Sequence, residues 1–171
     1  MQPFSGDLFK GMLSFFIDLV PFVEDSGDGS TEVIFNPNPT EFDEREPNDQ
    51  WEDNYLPSSR VEFREWLCLP DYTSPAFQRL LTADMREEFI EADAYPPTAR
   101  GSHLILGHPE AVQNLPLPNR SRKPCSLLTQ FGPDPDLRLE ACDGGTWYFM
   151  TPTADLKKGK FDNTYMEFQT G

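Results

Sequence analysis

Two short runs of apolar and aromatic residues, each opening on a glycine, constrain the fold of this chain more than any other feature. Gly11-Met-Leu-Ser-Phe-Phe-Ile is echoed by Gly145-Thr-Trp-Tyr-Phe-Met-Thr. About twenty residues later a second run follows each of them, at Thr31–Phe35 and at Thr164–Phe168. Runs rich in aromatic and β-branched residues, bounded by turn formers, are typical of strands. We therefore expect two antiparallel hairpins built as one strand–loop–strand unit used twice.

The remaining segments predict further strands and a few short helices. Ser126–Phe131 reads as a strand, and the partial alternation of Val61–Leu69 indicates another. A helix is expected over residues 74–92, where Ser and Pro suit a helix start and apolar residues recur at helical spacing. Pro109–Gln113 is expected to form a helical turn. The prediction is one α+β domain over residues 1–171, mainly antiparallel sheet with few helices and an internal duplication.

Charge is distributed unevenly along the chain. It holds 29 acidic and 14 basic residues, which give a formal net charge of −15 and a sequence pI of about 4.3. Residues 1–100 carry 21 acidic and seven basic side chains, whereas residues 101–171 carry eight and seven. So acidic a surface repels phosphate backbones and anionic lipids. Nucleic acid and membrane surfaces are therefore poor partners, and a basic protein is a better one.

Residues 24–60 are predicted to form an acidic, loop-rich excursion within the domain. Eleven acidic residues fall within residues 24–54, against the single base Arg45. A charge run of this kind is often only a solvated face, and that interpretation stays open. The alternative is a partner-binding surface, in which charges steer association and aromatic side chains anchor it. Its predicted residues are Glu41, Asp43, Glu44, Glu46, Asp49, Trp51, Glu52, Asp53 and Tyr55.

Residue patterns that bind metals or carry catalysis are sparse. The two histidines, His103 and His108, stand five positions apart around a Gly-His-Pro break, a spacing unsuited to a two-histidine zinc site. Residues 24–35 resemble a calcium loop, but Phe35 occupies the position of the closing bidentate glutamate. We therefore expect no metal, no cofactor and no catalytic residue.

Cysteine usage and the N-terminal region favour a cytoplasmic protein. Cys68, Cys125 and Cys142 are widely spaced and odd in number, which argues against a disulfide framework. The N-terminus has no basic region of the kind that opens a secretory signal. The apolar stretch Met12–Val23 is too short to span a bilayer and carries Asp18.

Four motifs in the second part of the chain occur in a recognisable order. They are Leu106–Gln113, Leu127–Phe131, Asp143–Met150 and Asp155–Asp162. In this order they resemble the bacterial YwqG-like family, a domain of unknown function. The likeness covers roughly residues 8–36 and 101–170, and it implies a chain that lacks most of the N-terminal part of a full-length member. It implies no established activity, cofactor or catalytic residue, although some members look like immunity or accessory proteins near toxin genes.

Two classes of function follow from these patterns. The first is a non-enzymatic interaction module, in its most concrete form an immunity-type protein that masks a basic partner. The second is a small-ligand-binding protein or an enzyme that uses a pocket near His108, Gln113 and Asp143. Buried amides can also tie neighbouring segments together, and this is the interpretation we favour for Gln113 and Gln130. A third interpretation, a split or decayed fragment, stays open.

Overall fold

The computed structural model describes residues 10–17, 31–40, 58–65, 68–70, 75–91, 103–113, 123–137, 139 and 144–170. The strands within these ranges are β1 Met12–Ile17, β2 Thr31–Asn36, β3 Leu104–Ile105, β4 Cys125–Phe131, β5 Thr146–Pro152 and β6 Tyr165–Gln169. The helices are α1 Pro75–Gln78, α2 Ala83–Glu91 and α3 Thr153–Leu156. None of the helices in the described ranges is long and apolar enough to cross a membrane.

The larger sheet has four antiparallel strands in the order β3–β4–β5–β6. All seven residues of β5 are buried, because this strand has a neighbour on each edge and packed side chains on each face. The register of β4 on β5 shifts between Leu127 and Thr129. Leu127 lies opposite Met150 and Thr129 lies opposite Phe149, so the β4 strand carries one extra residue at this point.

The smaller sheet is the predicted hairpin of β1 and β2, and it packs on one face of the larger sheet. Strand alternation turns Phe15 toward that face. The Phe15 ring centroid lies 5.7 Å from that of Phe131 and 5.0 Å from that of Phe149, both in edge-on geometry. The buried residues of this core are Leu128, Trp147, Phe149, Leu156, Phe161 and Met166.

A second apolar cluster lies on the opposite face of the larger sheet. Its buried members are Leu127, Tyr148 and Met150. The partly buried residues packed against it are Leu104, Ala111, Cys125 and Tyr165. The larger sheet is therefore covered on both faces, by the hairpin on one and by the chain around Ala111 on the other.

The structure confirms a sheet-rich, antiparallel fold and corrects four local predictions. Residues 61–65 form no strand, because no described neighbour supplies the ladder that a strand needs. The helix predicted over 74–92 is interrupted between α1 and α2, where the Thr82 hydroxyl accepts the Met85 N–H at 3.4 Å and begins a new helix. The helical turn predicted at 109–113 is absent. Helix α3 arises in a connection where no helix was expected, because Leu156 is drawn into the core.

Candidate functional site

Three buried polar side chains come from three adjacent strands on the second face of the larger sheet. Gln130 of β4 lies directly opposite Tyr148 of β5. Gln169 of β6 lies opposite Thr146, two residues before Tyr148 and therefore on the same face. The extra residue in β4 decides the orientation of Gln130, because regular alternation from Leu127 would turn the Gln130 side chain to the other face.

These three side chains bind the backbone of residues 106–113, which we call the clamped segment. The Glu110 N–H donates to Gln130 Oε1 at 3.0 Å. The Tyr148 hydroxyl donates to the Glu110 carbonyl oxygen at 2.7 Å and accepts the Val112 N–H at 3.2 Å. The Gln113 N–H donates to Gln169 Oε1 at 3.1 Å. Side chains of the sheet thus satisfy backbone groups that a helical turn would otherwise have paired, which explains why no helix forms here.

The beginning of the clamped segment is held by a cysteine from elsewhere in the chain. The Cys68 thiol donates to the His108 carbonyl oxygen, and its sulfur accepts the His108 N–H, each at 3.1 Å. Gly107 adopts a positive φ of 85° beside this thiol, and an added Cβ would lie 3.2 Å from Cys68 Sγ. Glycine suits this position because it alone adopts such a backbone readily while leaving room for the sulfur.

The end of the clamped segment is fixed to the last described strand. The Gln113 side-chain amide donates to the Thr170 carbonyl oxygen at 2.6 Å. Gln113 therefore uses both its backbone N–H and its side chain to bind residues at the end of β6. Gln130 is a buried amide of the kind expected to tie segments together, whereas Gln113 makes its hydrogen bonds as an exposed side chain.

The ionisable groups around the clamped segment favour their neutral forms. Burial raises the pKa of the Tyr148 phenol to about 12. Burial likewise raises the pKa of the Cys68 thiol and lowers the pKa of the His108 imidazole. Near pH 7 the phenol and the thiol therefore keep their protons and the imidazole is uncharged. Such groups are suited to hydrogen bonding, and a protonated thiol is a poor nucleophile.

Two carboxylates border the buried phenol. Glu167 lies opposite Tyr148 in the β5–β6 ladder, and the Glu110 charge contributes to the raised pKa of Tyr148. One carboxylate oxygen of each, Oε2, is shielded from solvent. The negative charge of Glu110 is therefore one of the features that keep the Tyr148 phenol protonated.

The other histidine has a different environment. His103 Nε2 lies 3.1 Å from Asp134 Oδ2, and this hydrogen bond lowers the pKa of the Asp134 carboxyl. The two histidines therefore have different partners. The His103 imidazole bonds the Asp134 carboxylate, whereas the backbone of His108 bonds the Cys68 thiol. Across the described ranges no three His, Cys, Asp or Glu residues are grouped so that they could hold a metal ion.

Comparison with known families decides the relationship of this chain. Residues 9–170 match the family described as "Domain of unknown function (DUF1963)". The chain belongs to this family. The match spans both hairpins and the clamped segment of the DUF1963 chain. No curated protein matches it. The domain of unknown function expected from the motifs is confirmed, while the narrower YwqG-like name stays a prediction.

The predicted site residues fall partly outside the described ranges. Of the predicted ligand site, His108 and Gln113 lie on the clamped segment, and Asp143 lies outside the described residues. A pocket formed by all three therefore stays a prediction. The nine predicted partner-binding residues also lie outside the described residues: Glu41, Asp43, Glu44, Glu46, Asp49, Trp51, Glu52, Asp53 and Tyr55.

Four residues that take part in the hydrogen bonds of the clamped segment were not predicted from the sequence: Cys68, Glu110, Tyr148 and Gln169. A tyrosine inside an otherwise apolar strand was the one available signal, because a buried phenol usually finds a hydrogen-bond partner. Nothing near Cys68 in the sequence indicates a neighbour forty positions later.

Proposed function

We propose that this DUF1963 chain is a non-enzymatic protein-binding module that masks a basic partner, as an immunity-type protein does. The observation that carries the proposal is the separation of charge along the chain. Residues 24–54 hold eleven acidic side chains against one base, while residues 101–171, which contain all four strands of the larger sheet, carry eight acids and seven bases. A nearly neutral sheet in a chain that also carries a concentrated acidic segment suits electrostatic capture of a cationic surface.

The chemistry of the clamped segment supports a scaffold role. Gln130 and Tyr148 use their polar atoms on the backbone of this segment. The raised pKa of the Cys68 thiol leaves it protonated, and the lowered pKa of His108 leaves it neutral. A protein that presents a binding segment needs a scaffold that holds this segment in place, and it needs no reactive side chains in that scaffold.

The setting we propose is a bacterial cytoplasm. Cys68 and Cys125 are free thiols, which a reducing compartment preserves. This assignment rests on cysteine chemistry alone.

A pull-down with the full chain tests the proposal. At about 0.05 M salt we expect basic proteins from a bacterial lysate to be retained, and at about 0.5 M salt we expect retention to fall because exposed charges are screened. A variant with the seven acids at 41, 43, 44, 46, 49, 52 and 53 changed to amides should lose the partner. A control that neutralises Asp84, Glu87 and Glu88, exposed on α2, should keep it. Failure of the parent chain to retain any basic protein at low salt contradicts the proposal.

The aromatic anchors separate a specific partner from general charge attraction. Trp51→Ala and Tyr55→Ala leave the net charge unchanged, so a purely electrostatic contact should survive them. For a specific interface we expect each to weaken binding by tenfold or more, since aromatic anchors carry much of the interface energy. Equal retention of the variants and the parent would contradict the anchor role.

A small-ligand site near His108 is the alternative, and the negative charge of Glu110, which contributes to the raised pKa values of Cys68 and Tyr148, favours a cationic ligand there. Spermidine and free arginine are suitable probes. Under this alternative they should raise the melting temperature of the parent chain more than that of a His108→Asn variant. Equal responses would contradict it.

A further inference from the structure

Residues 58–65, Ser58-Ser-Arg-Val-Glu-Phe-Arg-Glu65, form an exposed segment without a strand partner among the described residues. We call it the projecting segment. Val61 is 75% exposed and Phe63 is 72% exposed, the two most exposed large apolar side chains described. Both residues favour strands, and they occupy alternate positions. Large apolar side chains repeated on one side of an exposed chain commonly mark an interaction surface.

The charged residues of the projecting segment fit the same alternation. Arg64 Nη2 lies 3.1 Å from Glu62 Oε2, and both side chains are well exposed. Two residues two positions apart point to the same side when the chain is extended, as in a strand. Glu62 and Arg64 therefore share one side of the segment, and this pattern places Val61 and Phe63 on the other.

We propose that the projecting segment pairs antiparallel with the same segment of a second copy of this chain, with Phe63 opposite Phe63. A two-fold axis through this point makes each contact occur twice. Glu62 of one copy then lies opposite Arg64 of the other, and Arg64 lies opposite Glu62. Opposite charges in directly paired positions stabilise an antiparallel ladder.

One neighbouring register shares this complementarity: centred on Val61, it places Glu62 opposite Arg60, but it leaves Phe63 opposite Ser59. The others do not. A shift that centres the pair on Glu62 places two glutamates opposite each other and Arg60 opposite Arg64, which is repulsive. A register centred between Glu62 and Phe63 places Val61 opposite Arg64 and mixes the apolar side with the charged side. The segment is therefore self-complementary in charge, so a copy of itself is the occupant that fits it. The register centred on Phe63 is the one that also pairs the two aromatic rings, with Val61 then opposite Glu65.

Charge-reversal variants test the occupant by sedimentation from about 10 µM to about 1 mM. A ribbon of two strands is weak alone, so dimers are expected only toward the upper end. Salt of about 0.15 M limits the repulsion between two acidic copies. Glu62→Arg alone and Arg64→Glu alone should each stay monomeric, because like charges then face each other. An equimolar mixture of the two variants should dimerise, because the charges are complementary again.

Matched controls carry the same change of charge elsewhere. Glu87→Arg and Arg79→Glu alter exposed positions near and on α2, and each should dimerise as the parent does. A parent chain that remains monomeric throughout the concentration range overturns the proposal. Dimers of Glu62→Arg alone or Arg64→Glu alone that are as stable as the parent dimer also overturn it, because another surface then makes the contact.

Cysteine cross-linking tests the register. Directly opposed residues have Cβ atoms about 4.5–5.5 Å apart, so Phe63→Cys should form a disulfide-linked dimer under mild oxidation. In the same register the two copies of position 61 lie four residues apart, roughly 13 Å, so Val61→Cys should not cross-link. The parent chain, oxidised in the same way, shows how much cross-linking its natural cysteines produce. Equal yields for the two variants, or a higher yield for Val61→Cys, overturn the proposed register.

Discussion

The hairpin of β1 and β2 and the hairpin of β5 and β6 have the same register in very different surroundings. In the first, Leu13 lies opposite Phe35, and in the second, Trp147 lies opposite Phe168. Matching Gly11 with Gly145 aligns Leu13 with Trp147, and Phe35 aligns with Phe168 once the second unit is counted as one residue shorter. The echo between the two sequences therefore extends to the backbone pairing of the two hairpins.

Each hairpin also packs a phenylalanine ring against the glycine before its first strand. A Cβ added to Gly11 would collide with the Phe35 ring and with the Asn36 carbonyl oxygen. A Cβ added to Gly145 would collide with the Phe168 ring. The glycine in each sequence run thus makes room for a ring from the paired strand. This packing supports the predicted duplication, which itself stays a prediction.

The difference between the hairpins lies in burial. Phe16 in β1 is 53% exposed, whereas Met150, at the equivalent position of β5, is 6% exposed. Strand β5 pairs on both edges, while β1 pairs only with β2 in the described part of the chain. Local sequence therefore sets the register of both hairpins, and the neighbours of each hairpin set its contribution to stability.

The largest expected effect compares two phenylalanines in contact. Phe149 is fully buried, so Phe149→Ala should cost about 3–5 kcal/mol of unfolding free energy. Phe15 is only partly buried, so Phe15→Ala should cost about half as much. Because their ring centroids are 5.0 Å apart, the double variant should lose less than the sum. Urea unfolding measures all three, and equal single losses would contradict the proposed contrast.

The next effect concerns the two glycines. Gly11→Ala and Gly145→Ala should each cost roughly 1–3 kcal/mol, because the added Cβ displaces packed atoms. In a Phe168→Ala background Gly145→Ala should cost much less, since the ring is its nearest obstacle. In a Phe35→Ala background the cost of Gly11→Ala should fall by a smaller amount, because the Asn36 carbonyl oxygen still blocks the added Cβ. Strict additivity in urea unfolding would show that the rings do not fill these positions.

The hairpin strands could be predicted from the sequence, whereas the hydrogen bonds of the clamped segment could not. The strands of both hairpins follow from local aromatic runs, and their positions are confirmed. Residues 109–113 of the clamped segment were predicted to form a helical turn. The prediction was wrong because their hydrogen-bond partners are distant in sequence. Tyr148 and Val112, for example, are separated by 36 positions. The extra residue in β4 that turns Gln130 toward the site has no local signal either.

Tyr148 gives an intermediate and pH-dependent effect that its counterpart Ser14 should not show. At pH 7, Tyr148→Phe removes both hydrogen bonds to the clamped segment and should cost about 1–2 kcal/mol. The folded-state pKa of about 12 lies above the unfolded value of about 10. The protonated phenol therefore stabilises the fold below pH 10, and this stabilisation is lost as pH rises toward 12.

Urea unfolding at pH 7, 9 and 11 measures this dependence. The stability advantage of the parent over Tyr148→Phe should be constant from pH 7 to 9 and smaller at pH 11. Ser14→Ala serves as the matched control in the first hairpin, and its effect should not change over this range. A Tyr148→Phe difference that is the same at all three pH values would contradict the raised pKa.

The smallest expected effect lies on the outer face of the first hairpin. Phe16 is 53% exposed, and Ile34 on the same face is 46% exposed. Phe16→Ser and Ile34→Thr should each change the unfolding free energy by no more than about 0.5 kcal/mol, because little apolar surface leaves the interior. Thermal and urea unfolding measure the change. A loss above about 1 kcal/mol would mean that this face is buried in solution. The first hairpin would then be covered on both faces, as β5 is, and the contrast in burial would fail.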